Sequence, residues 1–377
     1  MEATFWASTL IVFYVYVGYP IVAYLLSRWV GTPVAKSDVE PSVTVVIAAR
    51  NEATCIERTI RNKLEQDYPK ELLDVIVVSD ESTDGTDEIV SRFGRRVVLI
   101  RQVPRRGKTA ALNLGVASAK GEVLVFSDAN SLYRKDAVRQ LVRNFADESV
   151  GYVTGRMVYW NPAAESLVGE GTSAYMRYEN FIRRHETRLA SVIGVDGGID
   201  AVRRSLYRNM RADQQSDFVL PLVISGEGHR VVYEEQAVLT EETLSDHDSE
   251  YHMRVRVSLR AMWALWDNRA LLFSYRQPLL AFQIWSHKVA RYAAFIPLAV
   301  SAISCAPLAL HSTFYASILA AGLLLLLLAA SVWVRKGRGY RIALVPYYLL
   351  LSNVSFAHAA AKFLMGKRQA IWTPRVG

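Results

Sequence analysis

Cysteine is nearly absent from this 377-residue chain, which has only Cys55 and Cys305, far apart in sequence. Two distant thiols supply neither a disulfide framework nor a cysteine metal cluster. The chain also lacks internal repeats and low-complexity tracts, so no solenoid or biased tail is indicated. Nor is there a basic arm: the net charge is +8, with lysine and arginine spread along the whole length. Dispersed positive charge suits a membrane surface and an anionic substrate, and no nucleic-acid partner is expected.

Apolar residues, by contrast, are abundant, at 51% of the chain. Phe5 to Val30 is almost uncharged until Arg28, and Thr313 to Val334 includes a leucine run from Leu323 to Leu328. Each stretch is long enough to cross about 30 Å of hydrocarbon as a helix. No basic segment precedes the first, which is therefore read as an anchor rather than a cleaved signal. Ala293 to Leu310 and Ile342 to Leu364 are further candidates, weakened by Pro297, Pro307, Asn353 and His358. Buried helices of a soluble protein are the alternative for these two. Residues 271–292 mix Arg276, His287, Lys288 and Arg291 with Tyr275, Trp285 and Tyr292, a blend that fits interfacial helices.

Between the apolar ends the pattern changes. Val43 to Ala48 reads as a buried strand, Ile56, Ile60 and Leu64 share one helical face, and Val75 to Val78 is a second strand. The rhythm continues with a helix over Thr86 to Phe93, a strand over Val97 to Ile100, a helix over Lys108 to Ala117, a strand over Val123 to Phe126 and a helix over Asp136 to Phe145. Such alternation predicts a mainly parallel sheet covered by helices. The expected organisation is a transmembrane helix at 1–30, a linker at 31–42, an α/β domain at 43–270, interfacial helices at 271–292, about three transmembrane helices within 293–366 and a tail at 367–377.

Polar clusters sit where these strands end, the place where open α/β sheets bind ligands. Asn51-Glu52 follows the first strand, and Glu52 could bind a ribose or base or simply favour a helix start. Ser79 to Thr86, SDESTDGT, ends the second; Asp80 lies at the strand tip, while Asp84 and Thr86 fit a turn and a helix cap. In RRGKTAALN, Lys108 follows Gly107 and opens a helix, so its ammonium and nearby free N–H groups suit a diphosphate. The spacing is not that of a Walker A loop, so a P-loop ATPase is not supported. Asp128-Ala129-Asn130 ends the fourth strand, where two oxygen ligands could share Mg²⁺ or Mn²⁺ with substrate phosphates.

Taken together, ARNEA, VVSDESTDGT, RRGKTAALN and FSDAN resemble the donor-site motifs of inverting glycosyltransferase family 2, which has the GT-A fold. The resemblance covers about residues 43–270 and, with the flanking spans, points to membrane-bound members. It implies that Glu52 and Asp80 contact the uridine of a UDP-sugar, that Lys108 supports the nucleotide, and that Asp128 and Asn130 hold ribose and a divalent cation. Asn130 departs from the stricter Asp of this motif, which removes a charge from the cation site. Asp217, in Gln215-Ser216-Asp217-Phe218, matches the catalytic base, although Ser216 replaces the usual Glu and a plain helix cap is the competing reading. Gly197 and Gly198 resemble the glycine segment lining acceptor and sugar.

One departure concerns processivity. Polymer-forming members carry Q-x-x-R-W, whereas this chain has Arg256, Arg260 and Trp263 at a different spacing. These three are expected to bind pyrophosphate and stack on sugar without completing that motif. The expected enzyme is a membrane-anchored transferase with its catalytic domain at the cytoplasmic face of the plasma or inner membrane, acting on a lipid-linked or saccharide acceptor. A processive synthase that exports its polymer is the alternative.

Overall fold

The computed structural model describes residues 1–160, 167–242, 247–335 and 341–368. Residues 336–340, and all but Lys367 and Arg368 of the expected tail, lie outside the described residues. The chain divides into two compact units. One comprises Met1–Arg28, Asn161–Ile182 and Glu242–Lys367; the other comprises Trp29–Trp160, Arg183–Glu241 and Arg368–Gly377. Thus parts of the expected 43–270 domain group with the apolar helices.

The second unit is built on an eight-stranded sheet with order β3-β2-β1-β4-β7-β6-β8-β5. Its strands are β1 (Val43–Ala49), β2 (Leu73–Ser79), β3 (Val97–Arg101), β4 (Val123–Asp128), β5 (Leu132–Tyr133), β6 (Val150–Trp160), β7 (Ile199–Arg203) and β8 (Arg230–Glu242). β3, β2, β1 and β4 run parallel, whereas β7 is antiparallel to both β4 and β6. This is the mixed α/β sheet expected of a GT-A domain.

The parallel half forms where the Val/Ile runs are longest because both of its faces are covered. Val45, Val46, Ile47, Val77, Leu124 and Val125 are all fully buried, each contributing roughly 1.5–3 kcal/mol. Helix Lys108–Ser118 lies so close that a Cβ on Gly115 would stand 2.5 Å from Val46 Cγ1 and 3.0 Å from Val78 Cγ2. Glycine is what allows that approach. From β1 the chain steps outward to β2 and β3, then returns to place β4 on the other side of β1. The reversal opens a crevice outside the carboxyl ends of β1 and β4.

The first unit is helical. Glu2–Trp29 and Thr313–Val334 are long and apolar enough to cross a membrane, and Pro278–Tyr292 with Phe295–Ala309, bent by 56°, counts as a third if the pair is one span. The expected count of about three C-terminal helices is approximate: among the described residues Thr313–Val334 qualifies alone there, and Leu344–Leu364 does not reach the same apolarity. Its face holding Tyr347, Ser352, Asn353 and Ser355 is buried within the protein, whereas Leu323 to Leu327 are exposed. Inside this unit the buried Glu179 carboxylate meets Arg291, His287 at 3.2 Å and Lys288 at 3.8 Å.

Candidate active site

Two loops close over the carboxyl ends of β1 and β2, and both enter left-handed backbone, at Asn51 (φ 52°) and Glu81 (φ 57°). Such conformations persist only where surrounding contacts determine them. Here the loops are laced together. Asn51 N–H donates to Ser82 Oγ at 3.1 Å and Thr83 N–H to Asn51 Oδ1 at 2.9 Å. Asp84 accepts from Ala53 N–H at 2.9 Å through one oxygen and from Thr86 N–H at 3.1 Å through the other. The expected turn role of Asp84 thus extends to pinning the neighbouring loop. Glu52 is partly open, and the Cys55 thiol donates to its Oε2 at 3.1 Å. Burial, with Glu52 next to it, pushes that thiol up to about 12, so it remains a donor.

Asp80 is 3% exposed and both its oxygens are engaged. Oδ1 accepts from Gln102 Nε2 at 2.5 Å and Arg106 N–H at 2.9 Å, and Oδ2 from Gly107 N–H at 3.0 Å. The carboxylate therefore organises the loop that presents Lys108. Gly107, with φ 90°, turns that loop into the helix.

Lys108 and Asp128 meet directly, uniting two of the motifs across the switch point. Burial opposes the ammonium charge, but Asp128, then Asp217 and Asp200, outweigh it and hold the Lys108 pKa above its ordinary value. The same helix reaches toward the next segment of the site. Thr109 Oγ1 donates to Gln214 O at 2.7 Å, Asn113 Nδ2 to Met210 O at 2.7 Å, and Tyr207 Oη to Asn113 Oδ1 at 2.7 Å. These bonds fix the approach to Asp217, which occupies the first turn of helix Ser216–Gly226 after Gln215 as its cap. Asp217 is thus within the helix and is not its cap.

Gly197, at φ 78°, is required by Asp217. A Cβ there would lie 2.1 Å from Asp217 Oδ2. Beside it, Asp196 is paired with Arg183 at 2.6 Å. Beneath lies Asp200, 1% exposed on β7, with Oδ1 unpartnered. Burial pushes its carboxyl up to about 8; Asp217 and Asp196 add to the rise, against a Thr154 hydrogen bond and Lys108. An acid between Ile199 and Ala201 in an apolar strand was the signal for this residue. Thr109 and Asn113 lay in a motif whose lysine alone was singled out.

Lys108 stands among Asp128, Asp217 and Asp200, and Asp200 keeps its proton near neutrality. Among the described residues no group of three or more His, Cys, Asp or Glu could hold a metal ion. Asp128 and Asn130 nonetheless fit a cation completed by substrate: both are partly open, and Asn130 makes no hydrogen bond within the described residues. Magnesium sites commonly consist of one or two carboxylates plus phosphate oxygens. Arg256, Arg260 and Trp263 belong to helix His247–Asp267 of the helical unit, where Trp263 packs on Phe363 at 4.5 Å and donates to Lys367 O at 2.8 Å.

A family model described as Glycosyl transferase family 2 matches residues 44–210. The probable glycosyltransferase YdaM of Bacillus subtilis is 30% identical over 177 residues, 45% of this chain and 42% of that protein. A Nostoc beta-monoglucosyldiacylglycerol synthase is 28% identical over 44% of this chain and 36% of its own length. A Staphylococcus aureus poly-beta-1,6-N-acetyl-D-glucosamine synthase is 27% identical over 54% and 51%. The chain thus spans about half or less of these curated relatives. A solved mannosyltransferase from Pyrobaculum calidifontis, in complex with GDP-Man and Mn²⁺, aligns over 97% of this chain and 99% of its own, with TM-score 0.76 and 25% identity.

Proposed function

Because the chain belongs to glycosyltransferase family 2, we propose that it transfers a sugar from a nucleotide-diphosphate donor to an acceptor hydroxyl at a membrane surface, with inversion. The observation that carries this reading is the convergence of Lys108, Asp128, Asp217 and Gly197 on one crevice. Asp217 takes the proton of the acceptor hydroxyl as its oxygen bonds to the anomeric carbon. The bond from that carbon to the diphosphate breaks as the new one forms. Lys108 exchanges Asp128 for diphosphate oxygens and offsets the charge of the leaving group. Asp128 and Asn130 would hold a divalent cation, Mg²⁺ or Mn²⁺, which when bound supplies further charge neutralisation. Asp80 keeps the loop before Lys108 in place, and Glu52 faces the nucleoside.

The donor is UDP-linked by its motifs; the structural relative's complex with GDP-Man favours guanosine as the second reading. The acceptor is lipid-linked or a saccharide. Two apolar helices with exposed leucines support anchoring in the plasma or inner membrane, with the catalytic unit on the cytoplasmic side, where nucleotide sugars are available. The altered spacing of Arg256, Arg260 and Trp263 supports addition of one or a few sugars. Sizing the product made from labelled donor in excess acceptor tests this. Short products are expected, whereas long polymer beside unused acceptor would establish the processive alternative.

A further inference from the structure

We infer that Lys63 and Tyr133 are positioning residues, a buried hub that ties the turn carrying Asp128 and Asn130 to the glycine segment against which Asp217 rests. The inference rests on the functional reading above. It starts from an unusual burial: the Lys63 side chain is fully enclosed, although lysine is almost never fully buried. The Lys63 amino group is held by its neighbours. Nζ donates to Ser131 O at 2.6 Å and Asn62 Oδ1 at 3.1 Å, and lies 3.6 Å from the Tyr133 ring centroid. Burial holds its pKa well below the ordinary lysine value, and a buried polar group is tolerated when its hydrogen bonds are made.

Helix Ile56–Leu64 holds the whole turn in this way. Thr59 Oγ1 donates to Ala129 O at 2.6 Å, and Asn62 exchanges two 2.8 Å bonds with the Tyr133 backbone. Lys63 supplies the middle contact, at Ser131 O. The carbonyls of residues 129, 131 and 133 are thus each fixed, which sets the direction of the Asp128 and Asn130 side chains. Tyr133 then crosses the site. Its hydroxyl lies 2.8 Å from Phe126 O and 2.9 Å from Gly198 O. A Cβ on Gly198 would stand 3.2 Å from Ser131 Oγ, so the turn and the glycine segment are in close contact. Gly197, one residue before it, carries the Asp217 carboxylate against its backbone. A displacement of the turn therefore reaches both sides of the reaction.

The test uses the full chain in detergent, with Lys63→Met and Tyr133→Phe. Three quantities are measured: metal-free affinity for UDP and GDP, Mn²⁺ affinity in the presence of the nucleotide that binds, and kcat and KM for the donor. Lys63→Met is expected to weaken Mn²⁺ by about 10-fold or more, the usual effect of losing a residue that orients a metal ligand, with metal-free nucleotide affinity within about 2-fold. Tyr133→Phe keeps the ring under Lys63 and removes only the hydroxyl's links to Phe126 O and Gly198 O. It should lower kcat by about 10-fold while leaving KM within about 2-fold, because orientation acts on the transition state. Wild-type Mn²⁺ affinity in a folded Lys63→Met protein would overturn the inference. So would equal loss of metal-free nucleotide affinity, which marks general destabilisation. If Lys63→Met does not fold, Tyr133→Phe decides alone, and an unchanged kcat overturns the inference. Wild-type protein that binds neither nucleotide removes the functional reading itself, before any variant is made.

Discussion

The two units use carboxylates in opposite ways. In the sheet unit, Asp128 and Lys108 form a pair whose side chains retain 31% and 26% exposure, beside a partly open Asp217. In the helical unit, Glu179 and Arg291 are almost fully enclosed, with His287 and Lys288 alongside. A pair open to solvent can exchange one partner for a ligand at little cost. An enclosed pair cannot, because separating it strands a charge in a low-dielectric interior. The first arrangement is suited to chemistry and the second to fixing how helices pack.

This contrast can be broken most forcefully at Glu179. Glu179→Ala leaves Arg291 without its buried counterion and should cost about 3–5 kcal/mol of stability, read as a large drop in melting temperature in detergent. Whatever fraction stays folded should retain turnover per active site. Preserved melting with lost turnover would place Glu179 in the chemistry and erase the distinction.

Asp217→Asn should do the reverse. Turnover is expected to fall by about 10²-fold or more, the scale of losing a general base, while melting temperature and nucleotide affinity stay close to wild type. A folded variant with near wild-type turnover removes Asp217 from the mechanism.

Asp200 sharpens the comparison from within the sheet unit, because it is an enclosed acid below an open site. Its pKa of about 8 lies far above that of an ordinary carboxylic acid. Between about pH 4 and pH 8 the unfolded chain has lost this proton and the native chain keeps it, so the group's contribution to stability falls as pH rises through that window. Asp200→Asn should flatten that fall and raise stability near pH 8. Melting temperature followed from pH 5 to 8 measures it, and an unchanged slope would show that Asp200 ionises normally.

The parallel half of the sheet was legible because strands buried on both faces are nearly continuously apolar, as Val43 to Ala48 is apart from Thr44. Polar residues after such runs then marked the crevice. The antiparallel half was not legible: β7 carries Asp200 within it, and Asp196-Gly197-Gly198 reads as a turn, although it serves to admit Asp217. Lys63 was invisible for a related reason, since sequence gives a lysine no cue that its amino group will find acceptors inside. Among the apolar helices, hydropathy separated Glu2–Trp29 and Thr313–Val334 from the rest. Asn353 had already marked Ile342 to Leu364 as doubtful, and Leu344–Leu364 does bury Ser352, Asn353 and Ser355 in the protein interior.

The central claim is that the crevice at the ends of β1 and β4 moves a sugar off a nucleotide diphosphate. Its most direct test is release of UDP or GDP from a panel of nucleotide sugars by the purified full-length protein with Mn²⁺ or Mg²⁺, beside Asp217→Asn prepared identically. Release by the wild type from at least one donor, reduced about 10²-fold or more in the variant, is the predicted result. No release from any donor in the presence of lipid and saccharide acceptors, or equal release by both proteins, would contradict it.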